Sequence, residues 1–118
     1  MHLIKLSEVN HSEIALTRAV IQIAQMLGMY HAELARILFL QCSDVGDLTN
    51  AKASLKKHST SWQSAEKLVT LFEKLFDYCD GNEAKMHNWL RKYNSKLDGE
   101  PLYLIVDELR IDDVVQVL

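Results

Sequence analysis

Proline and glycine are scarce: one Pro and four Gly in 118 residues. A sheet-rich fold needs such residues at its many turns, and a flexible linker is enriched in them, so neither fits this chain. No apolar run approaches the ~18 residues that a membrane span requires. Met1 to Leu6 carries no hydrophobic segment of signal-peptide type, so a soluble, cytoplasmic protein is expected. Cysteine is limited to Cys42 and Cys79. Each lies inside a helical pattern and they lack CxxC spacing, which predicts two reduced thiols rather than a disulfide.

Reaction centres are also missing from the pattern. None of the five histidines (His2, His11, His31, His58, His87) lies four residues from another. There is no HExxH and no glycine-rich phosphate loop. His31-Ala32-Glu33 lacks the Pro-Cys-x-x-Cys partner that a zinc deaminase needs. The expectation is a binding protein, not an enzyme, with no metal and no cofactor.

What is present suits a compact core. The chain is 48% hydrophobic and 25% charged, enough for one domain or two small ones sharing an interior. The formal net charge is −3, and the stretch from Pro101 to Leu118 holds all of that imbalance: Asp107, Glu108, Asp112 and Asp113 against Arg110. Such a charge neither excludes nucleic acid nor advertises it.

The apolar spacing is helical throughout, so the fold class is all-α. Ser12 to Leu27 forms a helix whose stripe is Leu16, Val20, Ile23, Ala24 and Leu27. Asn10 and Glu13 suggest a capping box, and Gly28 a stop. Short helices follow at His31 to Leu38 and Ser43 to about Leu48. The stretch from Thr49 to Thr60 is polar and basic. Ser59, Thr60 or Ser61 caps a long helix with the stripe Trp62, Ala65, Leu68, Val69, Phe72, Leu75 and Phe76, ended by Asp80-Gly81. Asn82 caps the next, to Tyr93, with Ala84, Trp89 and Leu90 inward. Asn94 to Gly99 forms a turn in which Gly99 allows the tight bend. Pro101 opens a sixth helix, and a last one starts near Asp112. The seam near Thr49 to Ser61 divides residues 1–58 from 59–118.

The segment from His31 to Leu48 has the spacing of a helix-turn-helix. Leu34 and Leu38 lie one turn apart, Ala35 allows close backbone approach, Leu40 plugs the turn, and Val45 and Leu48 face inward. The run LGMYHAELARILFLQCSDVGDL resembles the Xre, or lambda-repressor-like, helix-turn-helix of bacterial regulators. It departs from that pattern at Phe39, where Gly is usual and a bulky residue is poorly suited to positive φ. It departs also in its acidic second helix, since bases are read mainly by Arg, Lys, Asn and Gln. The resemblance implies a homodimer on operator DNA, with Lys52, Lys56 and Lys57 at phosphates and Gln41, Ser43 and Asn50 nearest the bases. Asp44 could accept from a cytosine amino group. The alternative is a helix-turn-helix kept only as a packing unit.

The run EAKMHNWLRKYNSKLDGEPLYLIVDELRIDDVVQVL carries Trp89-Leu90, Asn94, Leu97, Gly99 and Pro101-Leu102, then an apolar-ended helix. It resembles the toxin-binding domain of the Xre/MbcA/ParS antitoxin family, which also follows a helix-turn-helix. The family implies a function: antitoxin of a type II toxin–antitoxin pair, blocking a cognate toxin that consumes NAD or transfers ADP-ribose, and repressing its own operon. The alternative is a helix-turn-helix transcription regulator with no toxin. Trp89 and Pro101 read as structural. The expected partner contacts are Arg110, Asp112, Asp113, Val114, Val117 and Leu118, an apolar edge rimmed by charge. The competing reading folds that last helix back on the core.

Overall fold

The computed structural model describes residues 2–118, and among them the chain is all-helical. Eight helices are formed by the described residues: α1 (Leu6–Val9), α2 (Glu13–Met26), α3 (His31–Leu38), α4 (Cys42–Thr49), α5 (Thr60–Tyr78), α6 (Glu83–Arg91), α7 (Pro101–Val106) and α8 (Ile111–Gln116). The long α5 is the organising element. It packs against α1, α2, α3 and α8, while α3 also contacts α4 and α7, and α7 contacts α6 and α8.

The predicted stripe of α5 accounts for that position. Leu68, Val69, Phe72 and Leu75 of that stripe have no solvent exposure, nor has Leu71 outside it, while Phe76 is only half-buried; each fully buried side chain of this kind stabilises the fold by about 1.5–3 kcal/mol relative to an exposed one. The stripe of α2 meets it with Leu16, Val20 and Ile23. One apolar cluster runs from Ile4 to Val114 and draws residues from both sides of the 58/59 seam.

Helix ends follow side-chain chemistry. Ser59 Oγ accepts the Trp62 N–H at 3.0 Å, and Asn82 Oδ1 accepts the Lys85 N–H at 3.0 Å, as N-caps do. At α2 the cap is Ser12, whose Oγ accepts the Ala15 N–H at 2.9 Å; the expected Asn10–Glu13 box does not form. In α6 the inward residue of the first turns is Met86, fully buried, while Ala84 is exposed. Ala84 stands at the helix start, where the stripe turns toward solvent.

The α3–α4 turn contains an unexpected backbone. Phe39 adopts the left-handed conformation, with φ 58° and ψ 41°, despite its bulk. The Leu40 N–H reaches Ala35 O at 2.8 Å, the closing bond of a Schellman turn. The turn therefore keeps the shape that glycine usually supplies, and the strain is carried by Phe39. In the loop after α4, the buried Thr17 hydroxyl accepts the Leu55 N–H at 2.9 Å and donates to Glu13 O at 2.6 Å. That pair fastens the loop to α2.

Candidate partner-binding groove

Two carbonyl-rich junctions set the position of α6. Gly28, φ +69°, ends α2 in the left-handed region. The unpaired carbonyls there are taken by α6: His87 Nε2 lies 2.6 Å from Met26 O, and Arg91 Nη2 donates to Leu27 O at 2.8 Å and Gly28 O at 3.1 Å. A carbonyl only accepts, so His87 Nε2 must carry the hydrogen. The basic side chains also sit favourably at the negative end of the α2 dipole. At the other junction α5 ends through Asp80 (φ 53°) and Gly81 (φ 69°), with Phe76 closing over Gly81.

With α6 fixed in this way, Trp89 faces the end of α5. Its ring centroid is 6.1 Å from that of Tyr78, with the planes inclined by 59°, a tilted aromatic pair. Tyr93 joins them just past α6. The three rings, with Asn94, Ser95, Lys96 and Val117, line a groove of about 270 Å³. Tyr78 is 62% exposed and Tyr93 65% exposed, so two of the three rings are available to another molecule. Trp89 is half-buried rather than part of the closed core.

The turn that follows holds the groove's polar wall. Asn94 Oδ1 accepts the Lys96 N–H at 3.0 Å and the Leu97 N–H at 3.3 Å, an Asx turn. Asn94 N–H donates to Gly99 O at 2.9 Å, and Leu97 is buried beneath. The left-handed residue of this turn is Asp98, φ 53°, and not Gly99. Gly99 instead lies close to α7, where a Cβ would stand 3.3 Å from the Leu104 side chain. Tyr93 Oη donates to Asp98 Oδ1 at 2.6 Å. This bond, followed by the Asp98 charge, pushes the Tyr93 phenol above its usual pKa. Burial, the first cause, raises the Cys79 thiol, against an opposing pull from Lys85.

The residues expected to meet a partner gather on α8. Val117, half-buried, reaches the aromatic groove, and Leu118 is half-buried beside it in sequence. Asp112 Oδ2 accepts from Lys67 Nζ at 3.0 Å, and Asp113 Oδ2 accepts from Arg110 Nε at 2.8 Å. These exposed ion pairs fasten α8 to α5 and brace its first turn, and solvent screening keeps each of them weak. The Asp113 bond is also the main cause of a raised Arg110 pKa. Val114 is a correction: it has no solvent exposure and anchors α8 instead of offering surface. It points inward because α8 packs on α5 and α7 through this position.

The residues expected to meet DNA form two groups. Gln41, Ser43 and Asp44 are exposed at the start of α4. Asp44 Oδ2 accepts the Gln41 N–H at 3.0 Å, so its carboxylate caps the helix and suits the positive end of the dipole. Asn50 caps the far end of α4, about 12 Å away by helical rise. Lys52 and Lys56 line a depression of about 400 Å³ with Arg18 and Ile14. Lys56 also borders a second depression, of about 310 Å³, shared with Asp44 and Asp47. Lys57 is turned toward α2: its N–H donates to Glu13 Oε2 at 2.8 Å and its Nζ to His11 O at 3.2 Å.

Sequence reasoning overlooked Tyr78 and Tyr93. The available signal was that Tyr78 lies off the buried stripe of α5 and Tyr93 follows the last inward residue of α6. Among the described residues no three His, Cys, Asp or Glu side chains gather as metal ligands, and no helix is long and apolar enough to cross a membrane. No protein-family model matches the chain, and no curated protein matches it.

Proposed function

We propose that this chain is an antitoxin, which binds a cognate toxin through its C-terminal half and blocks it. The toxin class follows from the resemblance of the Trp89 to Leu118 region: an enzyme that consumes NAD or transfers ADP-ribose. The observation that carries the reading is the groove of Tyr78, Trp89 and Tyr93, open to solvent next to α8. Aromatic side chains with one apolar face and one polar end are the residues that protein interfaces favour. Val117 joins the groove from the C-terminal end of α8 and Leu118 follows it, while Arg110, Asp112 and Asp113 stand at the other end of α8, where their ion pairs could re-form across an interface.

Co-expression with the product of the neighbouring open reading frame tests this. Growth rescue and co-purification are expected, and both should be lost when Tyr78 and Tyr93 are changed to Ser. Reversing Asp112 and Asp113 to Lys should weaken neutralisation. Toxicity of the neighbour that the chain does not relieve would remove the reading.

A second reading has its own support: Lys52, Lys56 and Arg18 around one depression beside α4 suit phosphate contacts of a DNA-binding regulator. The few cations involved imply weak, salt-sensitive affinity, with Asp44 and Asp47 opposing it. A shift assay at low salt on the chain's own promoter region decides it, and absence of a shifted band rejects it.

A further inference from the structure

We infer that the aromatic groove takes a basic side chain of the protein partner, an arginine or a lysine inserted among Tyr78, Trp89 and Tyr93; this rests on the reading that a protein occupies the groove, and names what that protein must present. The face of an aromatic ring is negative and attracts a cation within about 6 Å of its centre, Trp most strongly and Tyr next. Tyr78 and Trp89 are tilted by 59° at 6.1 Å rather than stacked flat. With Tyr78 and Tyr93 both exposed and Trp89 half-buried, three rings keep surface open at one spot.

The groove also lies where three helices end. Tyr78 is the last residue of α5, Trp89 sits in the last turn of α6, and Val117 follows the last residue of α8. The C-terminal end of a helix is its negative end. That of α6 is open as well: Lys92 continues in extended backbone (φ −107°, ψ 150°), and among the described residues no backbone N–H closes on its last carbonyls as happens at the ends of α3 and α5. A guanidinium or ammonium brings the donors that such carbonyls lack.

Side-chain charge agrees, with one exception. Tyr93 Oη gives its hydrogen to Asp98 Oδ1 at 2.6 Å, which leaves the phenol oxygen as an acceptor and brings a carboxylate to that ring. Lys96 lines the groove and opposes a cation. It is exposed and forms no ion pair among the described residues, so its flexible stem can carry the ammonium into water. Farther off, Asp107, Glu108, Asp112 and Asp113 attract a basic partner at long range. A carboxylate in the groove would meet negative ring faces and negative helix ends, and an apolar side chain would leave the α6 carbonyls without donors.

Small probes on the full chain test this. The amides of N-acetyl-arginine, N-acetyl-norleucine and N-acetyl-glutamate are titrated through the millimolar range, and the indole N–H resonance of Trp89 is followed by NMR with buried Trp62 as reference. A saturable Trp89 shift is expected with the arginine probe, at an affinity about threefold or more above that of the norleucine probe. Tyr78→Leu and Tyr93→Leu, which keep an apolar side chain but remove a ring, should each weaken it about threefold. Lys96→Glu should tighten it, a direction that a merely apolar groove does not predict. The inference is overturned by a norleucine or glutamate probe that matches the arginine probe, by no shift with the arginine probe, or by a Lys96→Glu chain that fails to bind it more tightly. Each of those results leaves the antitoxin reading in place, whereas a neighbouring product whose toxicity the chain does not relieve removes that reading whatever the probes do.

Discussion

Gly28→Ala should loosen the seating of α6 and with it the groove. Two effects add. The backbone at φ +69° costs an alanine about 1–2 kcal/mol. A Cβ would also stand 2.8 Å from His87 Cε1 and 3.3 Å from Arg91 Nη2, so both side chains must move. His87 then gives up its 2.6 Å bond to Met26 O, and a carbonyl left partly unpaired adds about 1–3 kcal/mol. The expected loss is about 2–5 kcal/mol, read by urea unfolding followed by far-ultraviolet circular dichroism. Tryptophan fluorescence should shift as well, because Trp89 lies two residues from His87. The separate parts come from a double-mutant cycle with His87→Ala. With the ring gone, Gly28→Ala should cost only the backbone strain, giving a coupling of about 1 kcal/mol or more. Strictly additive losses, or a total below about 0.5 kcal/mol, would refute the junction described here.

Further outcomes can be checked independently. Thr17→Val should destabilise by about 1–3 kcal/mol, since it strands the buried Leu55 N–H; limited proteolysis should then cut sooner within residues 50–58. A thiol reagent at mildly alkaline pH should modify exposed Cys42 quickly and buried Cys79 slowly, because burial favours the unreactive thiol; equal rates would contradict the packing of Cys79. Ultraviolet titration should place Tyr93 above an ordinary tyrosine, and Asp98→Asn should bring it down. The sign follows from linkage: a pKa higher in the folded state means that the Tyr93–Asp98 contact supports folding below about pH 10 and loses its effect as pH rises through the folded value.

Much of the fold was legible because its signals are local. The boundaries of α3, most of the stripe of α5 and the cap Asn82 follow from spacing and side-chain reach within a turn or two, whereas the cap of α5 was left among Ser59, Thr60 and Ser61 and is Ser59. The short α1 was overlooked; its four residues bury nothing fully, and it is held from a distance by Glu73, whose Oε2 accepts the Leu6 N–H at 3.0 Å. Phe39 and Asp98 show the limit of turn rules. Hydrogen bonds within each turn accompany the left-handed residue, Leu40 N–H to Ala35 O in one and Asn94 N–H to Gly99 O in the other, although the sequence puts no glycine at position 39 and places one beside Asp98. The groove was only half visible. Trp89 stood out, yet its company with Tyr78, Tyr93 and Val117 depends on α5, α6 and α8 converging, and no short-range pattern encodes that meeting. Val114 misled for a related reason: an apolar residue near an acidic end can face either way until the packing of α8 is known.

In the function proposed above, the aromatic groove and α8 receive a protein partner. Hydrogen exchange of this chain, with and without the purified product of the neighbouring gene, tests it most directly. Slowed exchange is expected in residues 89–97 and 111–118, with residues 50–58 unchanged. A stable complex that leaves 89–97 and 111–118 unprotected would contradict it.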